Sequence, residues 1–224
     1  MKINTKIISA ILIFSALEAG NDTDSSMHKL RRSKDFVLQK SEPGVKIDLK
    51  YATTDNFLKQ NLYGSFNECY LHAEAMKKLH EARKLLADRK PGYGFLVFDC
   101  LRPRSVQRRL WTKVKGTDKQ AYVADPDKGS LHNYGFAIDL TITDALGKEL
   151  DMGTRFDSFS KKSEPRLEDK FVASGELTPE QLANRKFLRA IMTGAGFSQQ
   201  VNEWWHYNAV SAKTLRSKKY VIFE

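Results

Sequence analysis

The sequence predicts an α+β fold in a single domain. Helical and strand-like patterns both occur, without the regular strand–helix–strand alternation that builds a parallel sheet. The length of 224 residues, with 41% hydrophobic and 29% charged residues, suits one substantial core in a globular protein.

The first element is not part of that core. Lys2 and Lys6 precede an apolar stretch from Ile7 to Phe14, continued to Leu17 and broken at Glu18, Ala19 and Gly20. A basic start, an apolar run of about 11 residues and a small-residue exit are the pattern of a secretory signal peptide. The run is shorter than the ~20 residues that span a bilayer. Residues 1–19 are therefore expected to be removed after Ala19 and the protein exported, periplasmic or secreted; a buried N-terminal helix is the alternative. Residues 20–35 are polar and charged and read as a flexible mature N-terminus, followed by the folded domain at 36–224.

Within the domain, Tyr70, Ala73, Met76, Leu79, Ala82 and Leu86 recur at helical spacing and predict a helix from Glu68 to Arg89. Tyr93 to Phe98 reads as a buried strand. Val106, Leu110, Trp111 and Val114 predict a helix after Pro103. From Phe136 to Thr143, large apolar residues alternate with Ala137, Asp139 and Thr141, a strand with one apolar face and one small, polar face. Thr178, Pro179 and Gln181 form a helix start, and that helix runs to the glycines at 194 and 196. A last strand is expected around Tyr207.

Cys69 and Cys100 can pair in an oxidising compartment. A helix of about 20 residues spans ~30 Å, and a returning strand of about eight residues covers ~26 Å, so the two ends can meet. Two unpaired buried thiols are the alternative.

The formal charge of +10 falls to +9 once Lys2, Lys6 and Glu18 are removed. On an exported protein this favours contact with anionic cell-envelope polymers over nucleic acid, although surplus lysines also serve solubility. No RNA-binding signature, zinc finger or arginine-rich helix is present. Nothing in the sequence sets an oligomeric state.

The chemistry concentrates in two places. Asp139 lies mid-strand among apolar residues, where a carboxylate must be paired or bound to a metal. Seven residues earlier stands His132, with Gly135 between them to allow a sharp turn and the small Ala137 leaving room before the carboxylate. Near the C-terminus, Glu203 precedes His206 by three residues. Two histidines and one aspartate form a ligand set that suits Zn²⁺, one per chain, with an open fourth position. Glu203 is then the candidate general base. His28, His72 and His80 lack such surroundings and are assigned no chemistry.

The S-x-H-x-x-G-x-A-x-D motif at 130–139 and the E-W-W-H motif at 203–206 resemble those of the VanX-type D-alanyl-D-alanine dipeptidases, zinc D,D-dipeptidases of the hedgehog/DD-peptidase fold. The resemblance runs from about Val45 to Tyr207 and includes the stretches from Tyr51 to Phe57, Asp99 to Pro103 and Met152 to Asp157. It implies a mostly antiparallel central sheet flanked by helices. It implies His132, Asp139 and His206 as zinc ligands, Glu203 as catalytic base and Arg102 as the group that steadies the charged intermediate. It also implies Ser130, Tyr51 and Asp157 as substrate-binding residues, Asp157 facing the ammonium of a small D,D-dipeptide. One departure stands out: the family has Gly-Tyr where this chain has Cys100 and Leu101.

The function expected is therefore hydrolysis of D-alanyl-D-alanine to D-alanine, in cell-wall peptide turnover if the chain is exported. Two alternatives remain: a related carboxypeptidase or endopeptidase acting on longer wall peptides, and a zinc-containing binding module. Glu203 and Arg102 speak against the second, since binding needs neither.

Overall fold

Three short strands open the body of the protein: Phe36–Gln39 (β1), Val45–Ile47 (β2) and Cys69–His72 (β3). The structure, a computed structural model, describes residues 27–218 and 220–224. The expected signal peptide and residues 20–26 lie outside the described residues. Residues 27–32, within the segment read as flexible, are helical. Asp35 to Glu224 forms one compact unit.

β3 replaces the first turn of the helix expected from Glu68. Cys69, Tyr70 and Leu71 are all buried. Three consecutive residues do not fit one helical stripe, whereas a strand covered on both faces accommodates them. β1 supplies the pairing, antiparallel from Phe36 opposite His72 to Gln39 opposite Cys69. The helix itself is Ala73–Arg89 (α1), with Met76, Leu79, Ala82 and Leu86 on its buried stripe as expected. His72 starts it: its ring accepts the Glu74 N–H at 3.2 Å and stacks on Phe136 at 4.2 Å between centroids. His80 is exposed.

The remaining helices and strands are Gly94–Asp99 (β4), Arg104–Val114 (α2), Ala137–Thr143 (β5), Glu168–Ala173 (α3), Pro179–Gly194 (α4), Ser198–Gln199 (β6), His206–Asn208 (β7) and Ala212–Ser217 (α5). Of these β4, α2, β5, α4 and β7 are the expected elements, in the expected order, while α3, β6 and α5 are not foreseen in the sequence. The start of α4 is a reciprocal capping box. Thr178 Oγ1 accepts the Gln181 N–H at 3.1 Å, and Gln181 Oε1 accepts the Thr178 N–H at 2.9 Å.

The main sheet has the order β2-β4-β5-β7-β6. Only β2 and β4 run parallel, so the sheet is mostly antiparallel, as the resemblance implied. Every residue of β5 is buried; its polar face meets the site rather than water. Register places three polar residues in a row across neighbouring strands: Asp99 of β4 opposite Asp139 of β5, and Asp139 opposite His206 of β7.

Cys69 and Cys100 form a disulfide, with 5.4 Å between their Cα atoms, which resolves the open pairing. Gly135 closes the turn that carries His132 with φ +69°, and a Cβ there would lie 2.7 Å from the His72 backbone nitrogen. Gly135→Ala is expected to destabilise the fold by about 1–3 kcal/mol, because an L side chain pays for the left-handed backbone and meets β3. Equilibrium denaturation measures this, and an unchanged midpoint would show that the turn relaxes freely.

Candidate metal centre and active site

The β5–β7 register brings Asp139 and His206 side by side although 67 residues separate them in sequence. Asp139 Oδ1 lies 3.0 Å from His206 Nδ1 and 3.4 Å from His132 Nε2, and the two ring nitrogens are 3.2 Å apart. His132 arrives on a 3₁₀ turn, Leu131–Tyr134. Ser130 caps that turn, its Oγ accepting the His132 N–H at 3.3 Å, while Gly135 ends it.

The outer nitrogens of both rings are spoken for. His132 Nδ1 donates to the Cys100 carbonyl at 2.7 Å, and His206 Nε2 donates to Asn208 Oδ1 at 2.8 Å. With the protons placed there, the inner nitrogens present lone pairs to one another and to a carboxylate oxygen. Asp139 Oδ1 is buried with no hydrogen-bond donor among the described residues. Three acceptors facing one another repel unless a cation sits among them. A tetrahedral ion with bonds of ~2.0–2.1 Å to its ligands separates those ligands by about 3.3 Å, close to the spacing found. The donor set therefore fits a divalent metal, and the outer hydrogen bonds hold both rings in the orientation it requires.

The other expected residues gather around this cluster. Glu203 is half-buried, with Oε2 3.7 Å from His206 Nδ1. Burial pushes its pKa up to about 8, with Asp139 and Asp157 adding to the rise against His206 and Arg102. Arg102 is held firmly. Its Nε and one terminal nitrogen donate to Asp99 Oδ2 at 2.8 and 2.6 Å, and the other terminal nitrogen donates to Gln107 Oε1 at 2.9 Å. The guanidinium lies 4.9 Å from the Tyr51 ring centroid and 3.7 Å from Asp139 Oδ2. Asp99 is fully buried, and its second oxygen accepts the Tyr63 hydroxyl.

Asp157 adopts a left-handed backbone, φ 58°. Its Oδ1 accepts the Tyr51 hydroxyl at 2.8 Å, while its Oδ2 is buried without a hydrogen-bond partner among the described residues. Burial raises its pKa to about 7 despite the Tyr51 hydrogen bond and the Arg102 charge.

All eight residues singled out in the sequence, Tyr51, Arg102, Ser130, His132, Asp139, Asp157, Glu203 and His206, line one cavity of about 580 Å³. A second cavity of about 650 Å³ also borders Asp157 but contains none of the three donors. Sequence reasoning missed the supporting residues: Asp99 and Gln107 behind Arg102, Tyr63 behind Asp99, and Asn208 behind His206. The Asp99–Arg102 spacing and the alternation of His206 with Asn208 were the available signals.

A buried site with converging metal donors, an adjacent carboxylate and a fixed guanidinium belongs to a metallopeptidase. The chain is a member of the M15 peptidase family: the family profile described as D-ala-D-ala dipeptidase matches residues 32–223. It is 36% identical over 170 residues to the D-alanyl-D-alanine dipeptidase of Escherichia coli K12, covering 76% of this chain and 81% of that protein. It is 31% identical over 181 residues to the D-alanyl-D-alanine dipeptidase of Enterococcus faecium, covering 73% and 85%. The enzyme of the same name from Streptomyces coelicolor is 30% identical over 181 residues, with the same coverage of 73% and 85%.

Proposed function

We propose that this chain hydrolyses D-alanyl-D-alanine to D-alanine with a single zinc ion held by His132, Asp139 and His206. Bound there, zinc supplies Lewis-acid chemistry, acidifying a water molecule and polarising the scissile carbonyl. Glu203, beside the donor cluster, takes the proton of the attacking water and passes it to the leaving amine. Arg102 cannot swing away from its place near Asp139, because Asp99 and Gln107 fix it, and so it meets the negative charge that develops on the carbonyl oxygen.

The observation that carries the dipeptide reading is Asp157 Oδ2, a buried carboxylate oxygen without a partner among the described residues, in the cavity that holds the metal donors. A free ammonium satisfies it. A longer peptide would place an amide there and leave the charge uncompensated. Tyr51 holds Asp157 in place, and Ser130 lines the same cavity.

D-alanine release by the zinc-loaded chain tests this, with D-alanyl-D-alanine, its N-acetyl derivative and a pentapeptide ending in D-alanyl-D-alanine as substrates. Only the free dipeptide is expected to turn over. Faster cleavage of the pentapeptide would make the protein a carboxypeptidase, and zinc binding without any turnover would make it a binding module.

Asp157→Asn is expected to lower kcat/KM for the dipeptide ~30- to 1,000-fold, mostly through KM, since removing one partner of a buried charge pair costs about 2–4 kcal/mol. The same substitution removes an acid limb. The Asp157 carboxyl, with its pKa near 7, pairs with ammonium only when ionised, so affinity falls as the pH drops below that value. A pH profile of kcat/KM for both proteins checks the sign, and an unaltered KM would place the ammonium elsewhere.

Export follows from the N-terminal pattern, and the Cys69–Cys100 disulfide supports it, since such bonds persist in oxidising compartments. An exported dipeptidase serves the turnover of wall peptides, and a mature charge of +9 suits contact with anionic envelope polymers. N-terminal sequencing of the protein from its own cell envelope tests this; an intact Met1 in the cytosol would overturn it.

A further inference from the structure

The disulfide joins the two sheets at the point where the metal site is assembled. Cys69 begins β3, which belongs to the two-stranded sheet, while Cys100 follows the last residue of β4 in the main sheet. The segment from Asp99 to Arg102 is packed with the residues of the site. Asp99 anchors the Arg102 guanidinium. The Cys100 carbonyl accepts the Nδ1 proton of His132 at 2.7 Å, which fixes the ring so that Nε2 faces Asp139. The Arg102 N–H bonds to the His132 carbonyl at 3.0 Å, and Asn133 Nδ2 donates to the Arg102 carbonyl at 2.9 Å.

On its other side the same segment is tied to β3 by the disulfide and by one backbone bond, from Leu101 N–H to the Tyr70 carbonyl at 2.9 Å. β3 in turn holds the far end of the His132 turn, through the His72 N–H on the Gly135 carbonyl at 2.9 Å. β3 is thus the common support of the ligand turn and of the carbonyl that orients the ligand. Both sulfur-bearing residues are 1% exposed, so the bond acts within the core.

We infer that the Cys69–Cys100 disulfide is a positioning element of the metal centre: it holds the Cys100 carbonyl against His132, and the chain reaches full metal affinity only with the bond formed. The inference rests on His132 being a metal donor. Loss of an outer partner of a metal-bound histidine typically weakens metal binding by ~10- to 100-fold. Breaking the disulfide loosens that partner without deleting it, so about a tenfold weakening is expected.

The test is zinc affinity of the metal-free full chain, measured by competition with a chromophoric chelator, for the wild type and for the Cys69→Ala/Cys100→Ala double variant. Alanine leaves no thiol to bind zinc itself. The cobalt(II)-loaded proteins supply a spectroscopic comparison, because visible absorption of a tetrahedral cobalt site responds to ligand orientation and not to global stability. Weaker zinc binding with an altered cobalt spectrum, in protein that melts cooperatively, is the expected result. Equal affinity and identical spectra, whatever the change in melting temperature, would reduce the bond to a structural brace and overturn the inference. Should the double variant fail to fold, the near-isosteric Cys69→Ser/Cys100→Ser variant, which also carries no thiol, takes its place, with the same two outcomes. If the oxidised wild type binds no zinc, the metal reading falls and this inference with it.

Discussion

Glu203→Gln is expected to lower kcat for D-alanyl-D-alanine by ~10²- to 10⁴-fold, the usual contribution of a positioned general acid–base group, with zinc still bound. The side chain is not among the three converging donors, and its Oε2 stands 3.7 Å from the donor nitrogen of His206. Glutamine keeps the shape and removes the proton acceptor. The electrostatics suit the role. Burial lifts the Glu203 pKa to about 8, and a divalent cation at the neighbouring donors works in the opposite direction, favouring the carboxylate. The metal thus brings the group toward the range where a base can both accept and return a proton near neutrality. Steady-state kinetics with parallel measurement of bound zinc checks this. Activity within tenfold of the wild type would move the base elsewhere, and Asp157 is the remaining carboxylate lining the cavity that is not a metal donor.

Glu203 is legible in the amino-acid sequence while the residues that brace its neighbours Arg102 and His206 are not, and the difference has a physical basis. Glu203 and His206 lie three apart, and His132 and Asp139 seven apart with a glycine between. Short spacings of that kind report local geometry. The capping box at Thr178 and the alternation in β5 are local as well, and both formed as expected. What joins Asp139 to His206 is the pairing of β5 with β7, a contact between distant segments that composition and periodicity do not encode. The role of Asn208 depends on that pairing, because it alternates with His206 on the same short strand. Asp99 gains its meaning only from the register that sets it beside Asp139. The helix expected from Glu68 began late for a related reason: Tyr70 fits a helical stripe by spacing, but β1, whose residues pair across 30 to 36 positions of sequence, recruits 69–72 into a strand.

Asp139→Asn is expected to abolish activity by a different route, through loss of the metal. Asparagine has nearly the same shape, so the packing of β5 is retained, but it brings no negative charge and sets an amide where Oδ1 now faces two nitrogen lone pairs. Zinc binding should weaken by more than the ~100-fold that an outer partner costs, because this residue is the one anionic donor of the three. Asp139 also neighbours Arg102, with Oδ2 at 3.7 Å, so the substitution leaves the arginine with Asp99 as its remaining carboxylate partner. Both variants lose most or all of their activity, yet they are separable. Glu203→Gln retains stoichiometric zinc, and added zinc does not restore it. Asp139→Asn is purified empty and regains part of its turnover as zinc is raised, since mass action can refill a weakened site around an intact base. If Asp139→Asn kept its zinc, the third donor would have to be another carboxylate, and Glu203 would then be a ligand rather than the base.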